Sequence, residues 1–187
     1  MPKVVDHDAY RSELLTGSFD LFATLGYRAV TMRGIAKHLG VSTGTLYHYF
    51  ATKEDIFEQM VSLVAVRAVE QALQGVETGA TPFEKLDSMF RFVSGHEVYL
   101  RNFLFLIIDY HRSQPTEEGN EVVRNAIRFF RDAIEVHAGS LPPALAGLIL
   151  SGLLGSLLLR TLDDNQLGFG DQSNYIRTLL TALNEAS

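Results

Sequence analysis

Apolar residues recur along most of the chain every three or four positions, the spacing that places them on one face of an α-helix. No stretch shows the sustained alternation of apolar and polar residues that indicates a strand. The pattern therefore predicts an all-α fold. Helices are predicted over residues 8–25, 32–39, 43–50, 52–75, 83–112, 117–138, 143–162 and 173–185.

Polar residues and glycines mark the ends of several of these helices. Thr31 precedes the second helix as an N-cap, and Gly40 suits a left-handed turn after it. The sequence TPFE at residues 81–84 provides a cap, a first-turn proline and a capping-box acid. Because glycine weakens a helix, we predict that residues 83–112 form two helices joined or kinked near positions 94–95.

One segment is apolar enough to raise the question of a membrane. No charged residue occurs from Ala138 to Leu159, and a membrane-spanning helix needs about 20 apolar residues. Two prolines begin the helix, so its charge-free part, residues 144–159, is too short to span comfortably. We predict a helix packed within protein and no membrane partner.

Small residues recur at four-residue spacing along that helix, at Gly147, Ser151 and Gly155. Such residues allow another helix backbone to approach closely. The pattern favours an interface between two copies of the chain, and packing against a helix of the same chain is the alternative.

Composition and charge narrow the class of protein. The chain has 187 residues, a formal net charge of −6 and no cysteine, which excludes disulfide scaffolds, thiolate metal sites and cysteine nucleophiles. Its beginning, MPKVVDHDAYR, lacks the apolar run of a signal peptide, so we expect a cytoplasmic protein. Residues 1–53 carry six Lys and Arg against four Asp and Glu, whereas the rest carries ten against eighteen. The basic part is the part suited to a polyanion.

The stretch LGYRAVTMRGIAKHLGVSTGTLYHYFATKEDIF, residues 25–57, has the pattern of a helix-turn-helix: two short helices joined by a tight turn at Gly40. In such a unit the second helix enters the major groove of DNA. Its outward positions carry side chains that can reach bases or phosphates: Ser42, Thr43, Thr45, Tyr47 and His48.

This stretch resembles the TetR family of bacterial transcriptional regulators. The resemblance is carried by Gly26-Tyr27, Thr31-Met32-Arg33-Gly34-Ile35-Ala36, Leu39-Gly40-Val41-Ser42, Gly44-Thr45-Leu46-Tyr47-His48-Tyr49-Phe50 and Lys53-Glu54. It implies an N-terminal three-helix bundle with the helix-turn-helix, residues 1–53. A helical ligand-binding and dimerisation domain, residues 54–187, is then expected to follow.

The resemblance also implies roles for individual residues. Arg33 matches a position that contacts a base or a phosphate, and Lys53 matches a lysine that holds the DNA backbone. For Tyr49, packing against neighbouring helices is the alternative to DNA contact. The predicted DNA-binding residues are Thr31, Arg33, Ser42, Thr43, Gly44, Thr45, Tyr47, His48, Tyr49 and Lys53.

A homodimer is implied as well, with the last two long helices forming a four-helix bundle with their mates. Two recognition helices about 34 Å apart would then read a palindromic double-stranded DNA operator. The predicted dimerisation residues are Gly147, Leu148, Ser151, Leu154, Gly155, Leu158, Tyr175, Ile176 and Leu179.

Aromatic residues with a few polar groups, the composition of a small-molecule site, concentrate between residues 90 and 137. A plain core with polar edges has the same composition, so both interpretations stay open. The predicted effector-binding residues are Phe90, His96, Tyr99, Asn102, Phe103, Asp109, Tyr110, Phe130 and His137.

Other classes of function have less support. The sequence has no phosphate-binding Gly-rich loop, no GxSxG motif and no histidine pair at the i, i+4 spacing of a helical zinc site. A metal sensor using His96, Glu97, Asp109, His111 or His137 stays open, and so does a helical adaptor. We therefore expect a ligand-responsive transcriptional regulator, most often a repressor in this family. We expect no enzymatic activity, no cofactor and no bound metal.

Overall fold

A computed structural model describes residues 6–77, 79–137 and 142–163, together with positions 168, 174, 175 and 178. These residues form helices and connections and contain no strand, so the predicted all-α fold is confirmed. The predicted helix over residues 173–185 lies mostly outside the described residues. The helices are α1 (His7–Leu25), α2 (Met32–Leu39), α3 (Thr43–Tyr49), α4 (Lys53–Ala72), α5 (Pro82–Gly95), α6 (Glu97–Ser113), α7 (Glu117–His137) and α8 (Pro143–Leu162).

The helix boundaries follow the local signals in the sequence. At the start of α5, the Thr81 hydroxyl accepts from the Glu84 backbone N–H while the Glu84 carboxylate accepts from the Thr81 backbone N–H, which is the predicted capping box. The predicted break between two helices falls at His96, which separates α5 from α6. Gly26 ends α1 with a φ of 75°, a conformation that other residues rarely adopt.

The chain divides into two compact units. The first contains Met1–Arg67 and Phe105–Ala126, and the second contains Ala68–Leu104 and Ile127–Ser187. The first part of α4 and the end of α6 therefore belong with the helix-turn-helix. The assignment of DNA binding to residues 1–53, and of ligand binding and dimerisation to residues 54–187, stays a prediction.

The first unit has an aromatic core. The rings of Phe57 and Tyr110 are stacked at 4.1 Å between centroids, and Tyr27 meets both edge-on. Phe22 and Tyr27 are buried beside them. Since Phe57 lies in the second turn of α4 and Tyr110 lies near the end of α6, these rings join both helices to the turn that precedes α2.

In the second unit one face of α8 packs into an apolar core. Ile149, Leu150 and Leu153 of α8 are buried with Phe90 of α5 and Ile134 of α7. An ion pair at the edge of this core joins α8 to the start of α6, because the Arg160 guanidinium donates to both oxygens of the Glu97 carboxylate at 3.1 Å.

Among the described residues, α8 is long and apolar enough to cross a membrane by length and composition. The helix has 20 residues. It is longer than the charge-free segment 144–159, because it begins at Pro143 and continues past Arg160 to Leu162. Core helices of soluble proteins meet the same criteria, and α8 does bury one face in the second unit. The other face carries exposed leucines, including Leu148, Leu159 and Leu162.

Candidate nucleic-acid interface

Two capped helices and a glycine turn build the helix-turn-helix. Thr31 caps α2 by accepting from the Gly34 backbone N–H at 3.1 Å, and Ser42 caps α3 by accepting from the Thr45 backbone N–H at 2.9 Å. Gly40 between them has a φ of 69° and a ψ of 25°, the left-handed conformation expected at this turn. Ile35 and Leu46 are fully buried where the two helices pack.

The exposed side of α3 carries the residues predicted to meet DNA. Thr43, Gly44, Tyr47 and His48 are all exposed, and their spacing along the helix places them on one face. The Tyr47 side chain is 57% exposed, which is unusual for a large aromatic residue. Arg33 on α2 is exposed as well. The helix thus presents hydroxyl, phenol and imidazole groups to solvent.

Three predicted residues also serve the helix ends. The oxygens of Thr31 and Ser42 accept the capping bonds, and the Ser42 and Thr45 hydroxyls are hydrogen-bonded to each other at 2.8 Å. Hydroxyl oxygens have two lone pairs, so these contacts leave capacity for DNA. A DNA role for these three residues stays a prediction.

For Tyr49 the structure favours the packing alternative. Its ring is partly buried and meets the Tyr10 ring edge-on at 5.4 Å between centroids. Its hydroxyl lies 3.0 Å from His7 Nδ1. Both partners come from α1, which the sequence motif does not include.

Lys53 has partners inside the chain. Its ammonium donates to the Tyr27 carbonyl oxygen at 3.0 Å and lies 4.2 Å from the centroid of the Tyr27 ring. These contacts explain why a lysine begins α4 although the helix dipole disfavours a cation there. An ammonium has three donors, so two remain for the predicted contact with a phosphate.

Tyr27 joins the helix-turn-helix to α4 and α6. Its hydroxyl donates to Glu54 Oε1 at 2.7 Å and accepts from Gln114 Nε2 at 3.3 Å. Its backbone N–H donates to Asp109 Oδ2 at 2.8 Å. Because Tyr27 begins the turn that leads into α2, these bonds fix the start of the helix-turn-helix.

The ionisation of this cluster is set mainly by burial and by the Tyr27 hydroxyl. Burial raises the pKa of Tyr27, and the hydrogen bond to Glu54 raises it further. Burial also raises the pKa of Tyr110. Burial raises the pKa of Glu54 too, but hydrogen bonds from Tyr27, a backbone N–H and Thr52, together with the charge of Lys53, outweigh it, so the pKa is lowered. At neutral pH the tyrosine is therefore a donor and Glu54 an acceptor.

The predicted effector-binding residues are distributed over both units. Asp109 and Tyr110 lie in the first unit, where Asp109 accepts from the Tyr27 backbone N–H and Tyr110 stacks on Phe57, and their part in an effector site stays a prediction. In the second unit, Phe90 and Phe103 are buried in the core, whereas His96, Tyr99 and Asn102 are exposed and His137 is half-buried. Phe130 lines a cavity.

That cavity lies inside the second unit and has a volume of about 80 Å³. Its wall is formed by apolar side chains from α4 to α8, including Ala72, Phe92, Leu100, Ala133 and Leu153. Among the described residues, every side chain that lines the wall is apolar. Sequence reasoning missed most of these residues, because small and aliphatic residues that line a cavity look the same as core residues.

The described residues contain no group of three or more His, Asp and Glu side chains placed to hold a metal ion.

The predicted dimerisation face of α8 is largely exposed within the part of the chain that the structure describes. A Cβ atom added at Gly147 or Gly155 would meet no atom of the described residues within 4 Å. Leu148, Ser151 and Leu158 on the same helix are exposed. Leu154 differs, because it packs partly against the core of the second unit. Tyr175 is exposed, and Ile176 and Leu179 lie outside the described residues.

The fold and this interface define a helix-turn-helix protein with a second all-helical unit. A family model for bacterial regulatory proteins of the tetR family matches residues 14–60. The HTH-type transcriptional repressor KstR2 of Mycobacterium tuberculosis is 35% identical over 80 residues, which cover 43% of this chain and 40% of the repressor. Residues 14–60 are therefore similar to the tetR family of bacterial regulatory proteins.

Solved structures show the same fold over nearly the whole chain. Salmonella enterica GusR matches with a TM-score of 0.73 at 21% identity, covering 97% of this chain and 98% of that one. FadR from Bacillus subtilis, in complex with stearoyl-CoA, matches with a TM-score of 0.66 at 20% identity, covering 91% and 97%. The sequence match to KstR2 spans two fifths of that repressor's length.

Proposed function

We propose that this protein is a DNA-binding transcriptional repressor that binds a palindromic operator as a homodimer and is released by an apolar small molecule. The observation that carries the proposal is the capped helix α3, whose exposed face presents Thr43, Gly44, Tyr47 and His48. In a helix-turn-helix this face enters the major groove. Relatives that are similar in sequence include the transcriptional repressor KstR2.

A homodimer is supported by the surface of α8. Gly147, Ser151 and Gly155 leave a shallow face, and the neighbouring Leu148 and Leu158 are exposed. A second copy on this face would bury the leucines and allow close helix contact. The two α3 helices of such a dimer would meet successive major grooves about 34 Å apart.

An apolar effector is supported by the wall of the cavity in the second unit. Ligand sites of known proteins have volumes of about 300–1,000 Å³, so a cavity of about 80 Å³ has to open before it can admit a ligand. Binding would then favour the open conformation of this unit. The ligand releases DNA only if it binds a conformation with weak affinity for DNA more tightly than the DNA-binding conformation. The FadR structure, which has the same fold, holds stearoyl-CoA.

Variants of the interface test the DNA-binding proposal on a duplex selected from a random-sequence pool. His48→Ala and Tyr47→Ala should relax the choice of bases, because both side chains lie on the exposed face of α3. Lys53→Ala should weaken binding to all duplexes and reduce the salt slope by about one. Thermal unfolding of each variant separates these effects from loss of folding. Unchanged affinity and slope for Lys53→Ala would show that this lysine holds no phosphate.

Filling the cavity tests the effector proposal. Ala133→Leu adds a larger side chain at the cavity wall, and Ala144→Leu adds the same side chain at an exposed position of α8. With a series of saturated fatty acids as probes, we expect release of the selected duplex from the wild type and from Ala144→Leu, and weaker release from Ala133→Leu. Equal release from all three proteins would place the effector elsewhere.

A further inference from the structure

We propose that the first two turns of α1 hold the recognition helix α3 in place, and that His7 and Arg11 are positioning residues for DNA recognition. Both residues lie before residue 14, where the match to the family model begins. The inference rests on the proposed function, because it concerns how α3 meets DNA.

Helix α3 needs outside support. It has seven residues, and helices shorter than about 12–15 residues are marginal alone in water. Its start is held by the Ser42 cap, whereas it ends at Phe50, which is extended and whose backbone N–H donates to the Leu46 carbonyl oxygen. The last carbonyl groups of a helix have no partner inside it. The exposed His48 lies in this last turn.

Arg11 of α1 supplies one of the missing partners. Its guanidinium donates to the Tyr49 carbonyl oxygen and lies 5.0 Å from the centroid of the Phe50 ring. A cation at the C-terminal end of a helix is favoured by the helix dipole. Arg11 therefore holds the end of α3 through both backbone and side-chain contacts.

His7 and Tyr10 hold the Tyr49 side chain. His7 Nδ1 lies 3.0 Å from the Tyr49 hydroxyl, and the Tyr10 ring meets the Tyr49 ring edge-on. The His48 ring in turn lies perpendicular to the Tyr49 ring, at 5.1 Å between centroids. The contacts run in sequence from α1 through Tyr49 to His48, so the position of an exposed imidazole on α3 depends on α1.

A double-mutant cycle tests this sequence of contacts. Affinity for the selected duplex is measured for His7→Ala, Tyr49→Phe and the combined variant. Each single substitution removes the same hydrogen bond, so each should weaken binding about twofold to tenfold, and the combined variant should be no weaker than the worse single one. His7→Asn, which keeps a hydrogen-bonding atom at the same position along the side chain, should restore binding.

Two further measurements separate positioning from general stability. Base preference of the wild type and His7→Ala is compared on duplexes with single substitutions in each half-site. The control is His111→Ala, which changes an exposed histidine of α6. Hydrogen exchange without DNA is measured at the Phe50 amide, which donates to the Leu46 carbonyl oxygen at 3.0 Å. We expect relaxed preference and faster Phe50 exchange for His7→Ala but not for His111→Ala.

The outcomes distinguish this inference from the proposed function. If His7→Ala binds like His111→Ala, or if the effects of His7→Ala and Tyr49→Phe add, the inference is overturned while the regulator proposal stands. If the wild type selects no duplex, the proposed function fails. Phe50 exchange then decides whether α1 holds α3: faster exchange in His7→Ala supports the contact, and unchanged exchange overturns it.

Discussion

Gly119 in the first turn of α7 is a residue whose small size the structure requires. A Cβ atom there would meet the Gln114 backbone carbonyl at too short a distance, and backbone cannot move aside as a side chain can. We predict that Gly119→Ala lowers the free energy of unfolding by about 1–3 kcal/mol, despite the better helix propensity of alanine. Urea unfolding measures it.

Gly95 is the matched control for this prediction. It is also helical, but a Cβ atom there would meet nothing within 4 Å. Gly95→Ala should leave stability unchanged or raise it slightly. Equal effects of the two substitutions would show that the contact at Gly119 relaxes without cost.

The hydrogen bond between Tyr27 and Glu54 should make stability depend on pH. The pKa of Glu54 is lowered in the folded chain from its ordinary 4.5. The hydrogen bond therefore stabilises the folded chain above pH 4.5, and this stabilisation is lost as the pH falls through the lowered pKa. We predict that Tyr27→Phe is about 1 kcal/mol less stable than the wild type at neutral pH. The difference should shrink in acid. Urea unfolding of both proteins at pH 7 and at pH 3 measures the difference in stability. An equal difference at the two pH values would contradict the prediction.

Residues of the interface were predictable to different degrees. The exposed Thr43, Gly44, Tyr47 and His48 were identified because they lie within a contiguous motif with helical spacing. His7 and Arg11 were missed because their partner Tyr49 is 42 and 38 residues away. The hydrogen bond from Tyr27 to Asp109 was not predicted, because the two residues are 82 positions apart in sequence. Periodicity shows which face a residue occupies but not which distant residue it meets.

Among the helices, α6 has the clearest part in supporting the interface. Its residues from Phe105 onward belong to the unit of the helix-turn-helix. Asp109 lies on this part of α6 and accepts from the backbone N–H of Tyr27, the residue that follows the turn glycine Gly26. A backbone N–H that loses its acceptor away from water costs about 1–3 kcal/mol.

Substitution of Asp109 tests this role. We predict that Asp109→Ala lowers the free energy of unfolding by about 1–3 kcal/mol and that Asp109→Asn, which keeps a carbonyl acceptor, recovers most of the loss. Chemical unfolding of the three proteins measures both effects. If the alanine and asparagine variants were equally stable, the hydrogen bond to Tyr27 would not be the stabilising interaction.

Helix positions were predicted well because their ends carry strong local signals. The capping box at Thr81 and Glu84 and the left-handed turn at Gly40 are formed as expected. The grouping of α4 and α6 was not predictable, since each contributes residues to two units. Local signals define where a helix starts, whereas packing decides which unit it joins.

At the scale of the whole molecule, the dimer proposal makes a direct prediction about α8. Gly155→Leu adds a side chain where the described residues have no atom within 4 Å of a Cβ, so we expect folding of one copy to be unaffected. A second copy packed closely there would be displaced. We predict that sedimentation velocity shows a dimer for the wild type and a monomer for Gly155→Leu. Gly95→Leu, also at an open position, should stay dimeric.

Selection of bound duplexes from a random-sequence DNA pool by the purified protein, at two salt concentrations, tests the central claim most directly. We predict recovery of a palindrome whose half-sites lie about one helical turn apart, with weaker binding at the higher salt. Recovery of no sequence above background by a folded dimer would contradict the claim that α3 reads DNA.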